Sequence, residues 1–115
     1  MDKRQSGRVR FEASAIMRVH GTPGPYLVTI LDVSTAGLRV DSSTSFPAGT
    51  TVTVCYHGSE MTGQIRYSRE MEGDQVHVGI QVETVTGALA QSETGEIDLM
   101  LLFREQIRGK TPSHA

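Results

Sequence analysis

The chain has 115 residues, of which 37% are apolar and 21% charged, with a formal net charge of −2. That suffices for one domain with a single modest core, and no apolar run approaches the ~20 residues that a membrane helix needs. Met1-Asp2-Lys3-Arg4-Gln5 is polar and no apolar stretch follows it, so neither a secretory signal nor membrane insertion is expected, and the expected compartment is the cytoplasm.

Residues 1–8 precede any periodic pattern and read as a flexible arm. Arg4 and Arg8 lie on it with the spacing R-x-x-x-R, and Gly7 adds a hinge. Over residues 8–20 the chain alternates. Val9, Phe11, Ala13, Ala15, Met17 and Val19 share one parity; Arg8, Arg10, Glu12, Ser14, Arg18 and His20 share the other, with Ile16 the exception. A period of two over this length predicts a half-buried strand. Gly21-Thr22-Pro23-Gly24-Pro25 breaks it. Tyr26–Asp32 reads as a second strand, apolar on both parities and therefore central. Ser34-Thr35-Ala36-Gly37 is turn chemistry, and with Asp32 it forms the pattern D-x-S-x-x-G. Leu38–Asp41 is a short third strand, followed by a polar loop from Ser42 to Gly49.

Thr51–Tyr56 is β-branched and alternating, a fourth strand turned by His57-Gly58. Met61, Gly63, Ile65 and Tyr67 alternate with Thr62, Gln64, Arg66 and Ser68 in a fifth. After a charged turn around Gly73, Val76, Val78, Ile80 and Val82 alternate with Gln75, His77, Gly79 and Gln81 in a sixth. Residues 84–93 read as a connector. Ile97, Met100, Leu101, Leu102, Phe103 and Ile107 then suit a helix, with Thr94 as N-cap and Gly109 and Pro112 at its end. Its apolar face is wide, so it is expected to pack on the strands, and a homodimer contact through part of it stays open. Residues 111–115 are expected to fray. The fold class is thus mainly β: six short antiparallel strands in a barrel or sandwich, with a C-terminal α-helix.

Charge is unevenly placed. Residues 1–40 hold six Lys and Arg against three acids, whereas residues 41–100 hold two arginines against nine acids. Much of such a surface repels a long nucleic acid, and 5% aromatic content gives few stacking platforms for single strands. A small anion on the basic N-terminal part fits better. Cys55 stands alone and reads as a small, half-buried strand residue. His20, His57, His77 and His114 lack metal-ligand spacing, although His57 and His77 could meet across strands. No nucleophile–base arrangement and no phosphate loop can be argued, so neither an enzyme nor a metal or other cofactor is expected.

The two short patterns carry the chemistry. An arginine fork matches a phosphate, or the O6/N7 edge of guanine, bidentately. On an extended arm Arg4 and Arg8 would stand ~13 Å apart on one face. Asp32 can accept from guanine N1–H and N2–H, Ser34 can accept or donate, and Gly37 can supply a positive φ for a tight turn. Each pattern alone has a plainer reading, a solvated basic tail and a side-chain-stabilised strand connection. Arg66 and Arg69, near the fifth strand, could extend a ligand surface; a solvated strand edge is the plainer reading there too.

Taken together, R-x-x-x-R before the first strand, D-x-S-x-x-G at the end of the second, six short strands, Gly79-Ile80-Gln81-Val82 on the sixth and a terminal helix resemble the PilZ domain family from about Lys3 to about Ile107. The resemblance implies a six-stranded antiparallel split β-barrel with a C-terminal helix over residues 9–110 that binds the bacterial second messenger cyclic di-GMP. It implies contacts from Arg4 and Arg8 to phosphates and a guanine, a guanine held by Asp32 and Ser34, and a backbone turn at Gly37. Lys3 and Gly79 are further contact candidates. The implied function is a non-enzymatic receptor that changes its surface on binding and so regulates a partner protein. The alternative is a ligand-free module of the same fold that docks on motility or envelope machinery.

Overall fold

The computed structural model describes residues 9–87. Its strands are β1 (Val9–Val19), β2 (Pro25–Val33), β3 (Gly37–Ser42), β4 (Thr51–Tyr56), β5 (Ser59–Glu70) and β6 (Val76–Gly87). Every pairing is antiparallel, and the ring runs β1-β2-β3-β6-β5-β4 before β4 returns to β1. The expected mainly β class and six-stranded antiparallel barrel are therefore observed. The arm at 1–8, the C-terminal helix and the tail at 111–115 lie outside the described residues.

Alternation is what fills the barrel. Phe11, Ala15, Met17 and Val19 of β1 are buried, as are Val28, Ile30 and Val33 of β2. Leu38 and Val40 of β3, Val52 and Val54 of β4, Met61 and Ile65 of β5, and Val78 and Ile80 of β6 complete one continuous core. The odd residue of β1 behaves as its parity dictates: Ile16 points outward and is 38% exposed. Its register partner Leu27 is 75% exposed, so β2 is not buried on both faces as its composition suggested. A closed barrel has one inside, and outward positions stay outside whatever their hydropathy.

Turn chemistry closes the hairpins. His57 and Gly58 both have positive φ, the requirement of a two-residue turn whose twist matches the flanking strands. The long connection from β3 to β4 crosses one end of the barrel. Ser68 Oγ pins it by accepting from Phe46 N–H and donating to Phe46 C=O, and Gly49 N–H donates to Ile65 C=O. Tyr26 and Phe46 meet edge to face, with ring centres 5.2 Å apart, over this end. At the other end Phe11 and Tyr56 meet in the same way at 5.6 Å. Burial there pushes the Tyr56 phenol above its ordinary value of 10.0.

Two expectations change. The connector at 84–93 is strand as far as Gly87, because Thr84, Val85 and Thr86 pair with Thr62, Met61 and Glu60. Their outward polar residues masked the pattern, yet two of the three are β-branched threonines that suit an exposed strand. His57 and His77 do not meet: His57 sits in the β4–β5 turn, while His77 pairs with Asp41 and Arg69 at the far end of β6. Among the described residues no helix is long and apolar enough to cross a membrane.

Candidate functional site

The end of β2 is built differently from its middle. The register between β2 and β3 shifts between Ile30 and Asp32, so Asp32 comes directly opposite Arg39. The Arg39 guanidinium donates from Nε at 2.9 Å and from Nη2 at 2.6 Å, both to Asp32 Oδ2. The Asp32 side chain is 7% exposed and that of Arg39 35%. On its other side Asp32 is opposite Arg10, which is itself paired with Glu12 at 3.1 Å. The carboxylate is thus held by Arg39 of β3, while the guanidinium of Arg10 on β1 turns to Glu12.

Beyond Asp32 the chain turns through Ser34-Thr35-Ala36-Gly37. Ser34 N–H donates to Gly37 C=O at 2.9 Å, and Ser34 Oγ donates to the same oxygen at 3.4 Å. Val82 N–H donates to Ala36 C=O at 2.8 Å, which ties the turn to β6. Gly37 does not have the positive φ that turn chemistry suggested. Its reason is proximity: a Cβ there would lie 3.0 Å from Ile80 C=O and 3.4 Å from Ser34 Oγ. The missing side chain lets β3 lie close against β6 while Ser34 folds back on the turn.

Outside the turn is an open groove of about 420 Å³, lined among others by Ser34, Gly37, Arg66, Tyr67, Gly79 and Gln81. The register explains who meets there. Asp32, Arg39, Gly79 and Tyr67 form one cross-strand row over β2, β3, β6 and β5. Gly37 and Gln81 lie opposite each other in the next row of the same face. Gly79 is buried beneath Tyr67: a Cβ added to it would be 2.2 Å from Tyr67 Cε2. Arg69 places its guanidinium 5.7 Å from the Tyr67 ring centre, within cation–π range.

Of the residues expected from sequence, Ser34, Gly37 and Gly79 line this groove, and Asp32 stands in the row beside it. Lys3, Arg4 and Arg8 lie outside the described residues. Arg39, Tyr67 and Gln81 were not anticipated. A signal for Arg39 was present: Asp32 and Arg39 are equidistant from the centre of the turn, so a hairpin must bring them face to face. Arg66 and Arg69, read as a solvated edge, stand on the same side of the sheet as the turn. The basic character of this face therefore does not belong to residues 1–40 alone.

The Gly79–Tyr67 contact makes a testable statement. Gly79→Ala is expected to lower stability by about 1 kcal/mol, since the clash is with the movable end of a side chain. In a Tyr67→Ala background the same change should cost nothing. Urea denaturation of the four variants measures the difference; equal losses in both backgrounds would show that Gly79 is needed for another reason.

A family model described as the PilZ domain matches residues 2–94. No curated protein matches the chain.

Proposed function

The chain belongs to the PilZ domain family, and we propose that it is a cyclic di-GMP receptor acting as an adaptor rather than an enzyme. The family is one of cyclic di-GMP receptors and of binding modules, which supports the reading. The observation that carries it is the junction of Asp32, Ser34 and Gly37 with a groove rimmed by arginine. Arg39 donates twice to Asp32 Oδ2, which holds the carboxylate at the end of β2 next to the turn. In this reading Asp32 accepts from guanine N1–H and N2–H, Ser34 contacts the same nucleotide, and Arg4 and Arg8 from residues 1–8 contact phosphates and the other guanine edge. Occupancy then fixes the arm against the barrel and alters the surface that a partner protein meets.

Calorimetric titration with cyclic di-GMP tests it, with GTP as control and Arg8→Ala alongside. Saturable binding by the wild-type chain, lost in the variant and weaker at high salt, is the expected result. A folded wild-type chain that takes up no cyclic di-GMP would leave the fold without this ligand, and the interaction-module alternative would replace the receptor.

A further inference from the structure

We propose that Arg66 is a further ligand-binding residue, reading the O6/N7 edge of a guanine in the groove from the side opposite Ser34. The assignment rests on the receptor reading above. Its starting point is an irregularity in β5. Ile65 pairs with Ile80 and Tyr67 with Gly79, so Arg66 is an extra residue in the ladder. In a regular strand Arg66 and Tyr67 would face opposite ways. Here both are exposed, while Ile65 is buried. A bulge re-aims side chains in this way and is a common device beside binding sites.

The re-aimed arginine is also held. Arg66 Nη1 donates to Gln81 Oε1, which fixes the guanidinium over β6 and leaves its remaining N–H groups to point elsewhere. Gln81 is the register partner of Gly37, so it lies beside the turn and holds Arg66, one strand further on, along the same groove. Two strand spacings, ~10 Å, separate β3 from β5. A cyclic dinucleotide has two bases, and a ligand whose first guanine is held at Asp32 must place its second, or that of a second ligand molecule, within such a span. The Tyr67 ring gives this side an apolar wall beside the fork. Planar donors next to an aromatic ring suit a base better than a bare phosphate, which asks for charge without a wall.

The test is titration of the full chain with cyclic di-GMP, comparing wild type, Arg66→Ala and Arg66→Lys. Arg66→Ala is expected to bind roughly tenfold more weakly. Arg66→Lys, a charge without the fork, should stay weakened. Wild-type affinity in Arg66→Ala would overturn the assignment while leaving the receptor intact. Full rescue by lysine would overturn the guanine contact in favour of a phosphate. Absence of binding by the wild-type chain would remove the receptor reading and this assignment with it. Arg66 is exposed, so the variants should fold; circular dichroism checks that they do.

Discussion

Gly63→Ala is expected to lower the free energy of unfolding by about 3 kcal/mol. Gly63 lies inside β5, where the register with β6 shifts between Thr62 and Gly63. A Cβ there would lie 1.9 Å from Gln81 C=O and 2.8 Å from Val82 Cα. These are backbone atoms of a paired strand. No rotamer relieves the contact, so either β5 and β6 separate locally and lose ladder hydrogen bonds, or the strain spreads into the core at Met61 and Ile65. Gly79→Ala is the useful contrast, since its near neighbour is a ring that can swing aside. Guanidinium denaturation of both variants measures the gap. A Gly63→Ala loss under 1 kcal/mol would mean that the bulge can open without breaking the barrel.

The same contrast shows what could be read from the chain alone. The parity of β1, the β-branched run of β4 and the alternation of β6 are local properties, and the strands appear where they predict. Ile16 and Leu27 could be assigned only after closure had defined an inside. Register shifts at Asp32, Gly63 and Arg66 leave no local trace, because a bulge is decided by two strands at once. That is why Gly63 read as one member of an alternating strand, and Arg66 as a polar residue on its solvent side.

For the site, the motif residues were legible and their supports were not. Asp32, Ser34 and Gly37 sit together because they are consecutive around one turn. Gly37 was assigned the wrong reason, φ rather than closeness to Ile80, since sequence shows that a glycine is needed and not which of its properties is used. Tyr67 and Gln81 reach the groove only through the β3–β6–β5 order, in which β6 returns beside β3 across intervening strands. Topology of that kind is non-local, and no spacing along the chain encodes it.

Asp32→Ala is expected to weaken cyclic di-GMP binding roughly 50-fold, through the loss of two charge-assisted acceptors for one guanine. Two routes could produce that loss. Asp32 could hold the guanine itself, or it could act through Arg39, whose Nε and Nη2 it fixes at 2.9 and 2.6 Å. A double-mutant cycle separates them. If Asp32 touches the ligand, Asp32→Ala retains most of its effect in an Arg39→Ala background, and Asp32→Asn, which replaces one acceptor by a donor, is nearly as weak as alanine. If it acts only by positioning Arg39, removing Asp32 costs no further affinity once Arg39 is gone. Stability gives a second readout. The pair is partly screened at the Arg39 end, so each single variant should lose about 1 kcal/mol and the double little more than either. A large binding loss in Asp32→Ala with near-additivity against Arg39→Ala is the outcome that the motif reading requires; a cycle in which the two residues are interchangeable would move the guanine contact from the carboxylate to the arginine that it orients.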